Sequence, residues 1–218
     1  MLSVVIPALN AADCIGFCVV SIREADEILV VDGGSTDGTA AIARRNGARV
    51  VDAARGRGRQ LAAGAAAAQG DWLLFLHADT RLEPGWREAA DRHIERQRGK
   101  AACFRFRLDC DGWRPRLVEM GVALRVRWFG LPYGDQGLLV SRLLYDGIGG
   151  YRPLPLMEDV DLVRRIGGVR MERLGVAAIT SADRWRRGGW LLTSARNLLC
   201  LVLYRLGMSA ERVARLYG

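Results

Sequence analysis

The chain has 218 residues, and 32 Lys and Arg against 24 Asp and Glu leave a net charge of +8. Half of the residues are hydrophobic, which excludes wholesale disorder and supplies a core for one domain of ordinary size with a short appendage. Lys100 is the only lysine, so the basic balance is an arginine bias typical of GC-rich coding; it does not by itself indicate nucleic acid, though it leaves a surface for an anionic partner.

Residues 3–6 are a short apolar run closed by Pro7 and predict a buried strand. A helix follows over about 11–25, then a second buried strand over 27–31, closed by Asp32, Gly33 and Gly34. Thr36 and Asp37 both suit the N-cap of the next helix. Residues 48–51 predict a third strand, 60–69 an Ala-rich helix ended by Gly70, and 71–76 a fourth strand. Pro84 opens a helix to about Arg98. Beyond it, 102–108 is strand-like, 115–128 helical, 138–140 a short strand, 158–166 a helix and 169–174 a strand. From Gly188 the pattern is helical, with a break at Gly207, Met208 and Ser209 and a last helix to Tyr217.

Strands alternating with helices predict an α/β fold with a parallel sheet of βαβ units, whose ligands bind at the carboxyl ends of the strands. Three polar clusters fall at such ends: Pro7-Ala8-Leu9-Asn10, Asp32-Gly33-Gly34-Ser35 and His77-Ala78-Asp79. With no linker and no internal repeat, residues 1–218 read as one domain, in which 1–100 and 101–183 form two halves and 184–218 a helical C-terminal extension.

Five cysteines, Cys14, Cys18, Cys103, Cys110 and Cys200, contain no C-x-x-C pair; the odd count speaks against a disulfide framework or structural zinc and for a reducing compartment. His77 and His93 are the only histidines, which limits multi-His chemistry. The first residues read as a strand and no cationic residue precedes Arg23, unlike a secretory leader. The most apolar stretch, 189–204, is interrupted by Ser194, Arg196 and Asn197 and is too short to span a bilayer. A cytoplasmic protein is the expectation.

Asp32 ends a buried strand before two glycines, where a carboxylate can accept hydrogen bonds from a ribose or base, or can cap the next helix. No G-x-G-x-x-G follows the first strand, which argues against an NAD fold. Gly56-Arg57-Gly58-Arg59 lacks the P-loop ending; it reads as a solvated loop or as arginines and amide N–H groups before a helix that meet phosphate. Asp79, just past the fourth strand, can hold Mg²⁺ or Mn²⁺ against a diphosphate. Glu158, Asp159 and Asp161 at a helix start serve either the helix dipole or general-base chemistry.

VVIPALN, VVDGGSTDGT, LFLHADT and PLMEDVDL, in this order, resemble the family-two glycosyltransferases of the GT-A fold over nearly the whole chain. GRGRQLAAGAA, LPYGDQGLLV and the ending LVLYRLGMSAERVARLYG resemble a small bacterial subgroup described as radical-SAM/selenodomain-associated. The resemblance implies a mostly parallel, Rossmann-like sheet flanked by helices, with a nucleotide-binding half followed by an acceptor and catalytic half. It implies that Pro7, Ala8, Asn10, Asp32 and Gly33 frame a nucleotide, usually uridine, which Arg57, Arg59 and Gln60 face. Asp79 matches the metal-binding aspartate of the D-x-D motif and Asp159, beside Glu158, the base of the E-D motif. Gly134, Asp135 and Gln136, with His77, would line the donor-sugar and acceptor region. The implied reaction is transfer of a sugar from a nucleotide-diphosphate donor to an acceptor hydroxyl, with inversion and a Mg²⁺ or Mn²⁺ cofactor.

There are departures from the family pattern. His77 replaces the first aspartate of D-x-D, Gly33 stands where many members have a second aspartate, and Q-x-x-R-W is unmatched although Arg184-Trp185-Arg186-Arg187 lies nearby. Polymer synthesis is disfavoured without a membrane channel segment. The alternatives are a sugar-nucleotide nucleotidyltransferase, whose Gly-rich basic loop after the first strand is missing, and a catalytically weak nucleotide-sugar binder. A nucleic-acid partner would leave the strand-end carboxylates unexplained. Trp185, Arg186, Arg187 and Trp190 precede an apolar helix over 191–206, which either packs on the sheet or leaves apolar residues for a homodimer or for peripheral contact with the inner face of the membrane.

Overall fold

Alternation of apolar runs with helical segments builds the first half as expected. The computed structural model describes residues 1–97, 99–130 and 132–217; the expected helix end at Arg98, Leu131 of LPYGDQGLLV and Gly218 lie outside the described residues. Strands β1 (Leu2–Ala8), β2 (Glu27–Asp32), β3 (Arg49–Asp52) and β4 (Trp72–Phe75) alternate with helices α1 (Ala12–Ser21), α2 (Thr39–Arg45) and α3 (Arg57–Ala67). They pair in parallel in the order β3-β2-β1-β4. The direction of winding reverses between β1 and β4, the position at which open α/β sheets bind ligands.

Pro7 does not end the first strand: β1 runs to Ala8, in register with Asp32 of β2. On its other side β1 pairs with β4 only as far as Val5 opposite Phe75, so no neighbour there needs the N–H that Pro7 lacks. α2 begins later than its caps suggested, because the Asp37 carboxylate accepts the Thr39 N–H at 2.9 Å and closes a turn before the first helical residue. α3 lies close on β1 and β2 through Gly64, where a Cβ would overlap the side chains of Val5 and Val31.

The second half departs from a parallel sheet. It contains β5 (Thr80–Leu82), α4 (Trp86–Arg96), β6 (Ala101–Leu108), α5 (Trp113–Phe129), β7 (Leu138–Ser141), α6 (Arg142–Gly147), α7 (Glu158–Ile166), β8 (Met171–Thr180), α8 (Asp183–Gly188), α9 (Trp190–Arg205) and α10 (Ala210–Tyr217). Among the described residues one eight-stranded sheet runs β3-β2-β1-β4-β7-β6-β8-β5. β7 is antiparallel to both β4 and β6, β5 is antiparallel to β8, and β6 and β8 are parallel. β5 and α6 carry no sequence signal, being three and six residues long. The last strand starts later and ends later than its apolar run, after a 3₁₀ turn at Gly168–Arg170. Two core clusters cover the two faces of the sheet and a third, with Phe106, Val122, Val126 and Trp185, lies under α5.

Candidate active site

The strand ends of β1 and β2 are laced into one shoulder. The Gly33 N–H donates to the Ala8 carbonyl at 2.9 Å. The Asp32 carboxylate accepts the Ser35 N–H at 3.0 Å and its hydroxyl, so Asp32 shapes the turn after β2 while each oxygen keeps a further lone pair. Asn10 adopts a positive φ of 49° and accepts the Thr36 N–H at 2.9 Å on its side-chain oxygen. Gln60, expected to face a nucleotide, is buried instead: its amide donates to the carbonyls of Ala8 and Val31, both at 2.8 Å, and ties the two strand ends together. A Cβ at Gly33 would press on that side chain at 3.0 Å. Arg59 is exposed and stands outside the pocket described next.

That pocket gathers Arg57 from the first turn of α3, His77 and Asp79 from the segment after β4, Asp135 from a 3₁₀ turn before β7, and Glu158 and Asp159 from the start of α7. Met157 precedes that pair with φ at 64°, a left-handed conformation costly for a residue with a long side chain. Asn10, on the β1–β2 shoulder, and Met157, which lines the pocket, are the only non-glycine residues of positive φ among the described residues.

Glu158 is buried and accepts from the Arg57 guanidinium at 3.3 Å. Burial, then the adjacent Asp159 charge, push the Glu158 carboxyl above its ordinary range in spite of Arg57. Asp159 goes the other way. Burial opposes its charge, but His77, Arg57 and the Gly134 N–H outweigh burial and hold it below the usual carboxylate range. The His77 Nε2 lies 3.8 Å from Asp159 Oδ2, an ion-pair distance beyond a hydrogen bond. The Gly134 N–H donates to Oδ2 at 3.0 Å and the Tyr151 hydroxyl to Oδ1 at 3.4 Å. The two neighbouring carboxyls are thus pushed in opposite directions. Arg57 feels burial first, yet Glu158, Asp159 and Asp79 raise its affinity for the proton.

Gly134 is a geometric requirement: a Cβ there would overlap both Asp159 Oδ2 and His77 Nε2. Gln136 is buried and donates to the Phe104 carbonyl at 3.2 Å, which fixes the 3₁₀ turn to β6 and places Gln136 behind the pocket. Asp135 faces the pocket with a buried Oδ1 that has no hydrogen-bond partner. Burial pushes its carboxyl up, against the pull of Arg125 and His77. A carboxyl raised in the folded state costs stability once pH exceeds its ordinary value, and the cost is complete above the raised value. Asp135→Asn is therefore expected to raise the melting temperature at pH 7 and to leave it unchanged near pH 4. Thermal unfolding at both pH values checks this, with about 2–4 °C for each kcal/mol removed in a chain of this size.

The Thr80 hydroxyl shares a 2.8 Å hydrogen bond with that of Thr180, and Thr180 donates to the Asp135 carbonyl at 3.1 Å. The unforeseen pairing of β5 with β8 thus joins the Asp79 segment to the Asp135 turn. Sequence reasoning also missed the far wall. Arg184, Asn197 and Tyr217 line the pocket from α8, α9 and α10. The Arg184 guanidinium donates to the Tyr217 hydroxyl at 3.3 Å, and that hydroxyl donates to Asn197 Oδ1 at 3.1 Å. Trp185 is buried beside Phe106 rather than held at a surface, and Trp190 is half-buried against the same cluster.

Among the described residues no group of three or more His, Cys, Asp or Glu forms a metal cage. Asp79 and His77, whose buried Nε2 makes no hydrogen bond, line the same pocket. One or two protein donors suit Mg²⁺ or Mn²⁺ held against phosphate and water. Burial, and next the Asp79 charge, push the nearby Cys14 thiol up to about 11, so it offers no thiolate.

Residues 3–154 match a family model described as Glycosyl transferase family 2. Glucosyl-3-phosphoglycerate synthase of Mycolicibacterium paratuberculosis is 38% identical over 92 residues, 36% of this chain and 28% of that protein. A PGL/p-HBAD biosynthesis glycosyltransferase of Mycobacterium tuberculosis is 39% identical over 93 residues, 38% of this chain and 36% of that protein. The matched stretch spans about a third of the length of these relatives. The glucosyl-3-phosphoglycerate synthase from Mycobacterium tuberculosis, crystallised with Mn²⁺, uridine diphosphate and glucosyl-3-phosphoglycerate, aligns with a TM-score of 0.62 at 23% identity, over 95% of this chain and 80% of that one. The same synthase has been crystallised with Mg²⁺ and uridine diphosphate. At such identity the likeness carries the fold, the GT-A arrangement.

Proposed function

The chain belongs to glycosyl transferase family 2, and from that premise we propose that it moves a sugar from a uridine-diphosphate donor to an acceptor hydroxyl with inversion at the anomeric carbon. The observation that carries this reading is the convergence of Asp79, Arg57 and the split Glu158–Asp159 pair in one pocket, with Asp79 on the segment that follows β4, the neighbour of β1 in the sheet. The solved relative that binds uridine diphosphate with Mn²⁺ supports the donor assignment.

The nucleoside rests on the shoulder of Pro7, Ala8, Asn10, Asp32 and Gly33, with Arg57 and Arg59 toward its phosphates. Asp79, with His77 beside it, would hold Mg²⁺ or Mn²⁺, and a bound divalent cation there supplies charge neutralisation for the departing diphosphate. Asp159, kept ionised, takes the acceptor proton, and the freed oxygen attacks the anomeric carbon from the face opposite the leaving group. Asp135 lies where a sugar or acceptor hydroxyl can donate to its open oxygen. The acceptor is a hydroxyl compound whose anionic groups Arg184 can meet. The three segments GRGRQLAAGAA, LPYGDQGLLV and LVLYRLGMSAERVARLYG support membership of the radical-SAM/selenodomain-associated subgroup. We place the protein in the cytoplasm, as one catalytic domain over residues 1–218.

The reading is tested by titration calorimetry with uridine diphosphate at millimolar Mn²⁺. Wild type is expected to bind more tightly with metal than without. Asp79→Ala is expected to lose that metal-dependent gain, and equal affinities of the two proteins in metal would remove Asp79 from the site.

A further inference from the structure

Helix α5 is apolar on two opposite sides. Val118, Val122 and Val126 face inward, against the cluster of Phe106, Leu108 and Trp185. On the opposite side Trp113, Leu117, Met120, Leu124 and Trp128 recur every three or four residues, so 3.6 residues per turn align them in one stripe. All five are exposed, the two tryptophans at its ends to 69% and 68%. Single exposed apolar side chains are ordinary, whereas a continuous stripe the length of a helix marks a partner surface. The same helical spacing sets Arg116 and Arg127 along one edge of the stripe and Arg114 along the other. The only acidic side chain of α5, Glu119, accepts the Leu108 N–H at 3.0 Å and pairs with Arg116 at 2.7 Å, which leaves Arg114 and Arg127 as the edge arginines with no acidic partner on this helix.

α9 repeats the pattern. Thr193, Cys200 and Leu201 are buried, while Leu191, Leu198, Leu199, Val202 and Leu206 are exposed. The two helices meet the same cluster, α5 through Val122 and Val126 and α9 through Trp190. Among the described residues no helix is long and apolar enough to cross a membrane.

We propose that the outer face of α5 docks on an anionic lipid surface, with the apolar stripe in the acyl boundary and the arginines among the headgroups. An apolar stripe with tryptophans at its ends and arginines along its edges matches the layering of a membrane interface. A second copy of the chain is a poorer fit: a twofold contact through this face brings arginine edges together. The inference stands apart from the donor chemistry, since no stripe residue lines the pocket.

The test is co-sedimentation with vesicles of phosphatidylcholine, alone or mixed equally with phosphatidylglycerol, at low and high salt. Wild type is expected to pellet with the anionic vesicles at low salt, less at high salt, and not with phosphatidylcholine alone. Leu117→Gln/Leu124→Gln and, separately, Arg114→Gln/Arg127→Gln should each weaken vesicle binding by about tenfold or more while uridine diphosphate binding is unchanged. All four side chains are exposed, so both variants keep the fold, which circular dichroism verifies. Failure of folded wild type to pellet with anionic vesicles, equal pelleting of the variants, or a lipid-independent dimer dissolved by Leu117→Gln/Leu124→Gln would each overturn the proposal.

Discussion

Gly134→Ala is expected to slow transfer on the order of 10²-fold although it removes no ionisable group of the site. The added methyl has no free space: it would overlap the carboxylate of Asp159 on one side and the imidazole of His77 on the other. Either the 3₁₀ turn moves, and the 3.0 Å hydrogen bond from the Gly134 N–H to Asp159 is lost, or Asp159 and His77 are driven apart. A displacement of about 1 Å at reacting groups costs on the order of 10²-fold in rate. Overpacking of this kind also costs roughly 1–3 kcal/mol of stability. Steady-state transfer assays on the folded variant, together with its melting temperature, check both effects. Transfer within a factor of two of wild type would show that the turn yields without disturbing the pair.

Asp159→Asn is expected to keep nucleotide binding and lose about 10²–10⁴-fold in transfer, the usual loss on removal of a general base. The amide fits the same contacts: its oxygen can accept the Gly134 N–H, and its NH₂ can donate to the Tyr151 hydroxyl, which turns to accept. The fold is therefore preserved and the loss is chemical. Calorimetry with uridine diphosphate and a transfer assay on the same preparation separate the two properties. A variant that transfers at near the wild-type rate would take the base role from Asp159.

The parts of the molecule legible in the sequence are those whose cause is local. Apolar runs of four to seven residues became β1, β2, β3 and β4, and α7 spans Glu158–Ile166 as its spacing predicts. The strand-end clusters stand where polar residues end apolar runs. What the sequence concealed depends on partners distant in the chain. LLVS reads as a strand, but nothing in four residues sets its direction, and it lies antiparallel between β4 and β6. Thr80 matters because it meets Thr180, one hundred positions later, and Gly134 because it meets His77 and Asp159. Gln60 lies in a motif that resembles a phosphate-facing loop, yet only the positions of Ala8 and Val31 show that its amide is spent on holding strands. For the C-terminal segment composition left packing on the sheet and surface contact both open; Trp185 packs beside Phe106 and Tyr217 lines the pocket.

The position of β7 bears on how the chain is made. β4, whose four residues are all buried and apolar, has β1 on one side and β7 on the other. Leu138 follows Phe75 by 63 residues (138 − 75), so a growing chain carries a finished β1–β4 sheet with one bare apolar edge until β7 emerges. At about 5–20 residues per second that interval is roughly 3–13 s. An unpaired edge of Trp-Leu-Leu-Phe is a template for strands of other nascent chains. The four residues of β7 therefore act as a late closure, and a chain cut off after β4 is expected to expose a seam prone to aggregation.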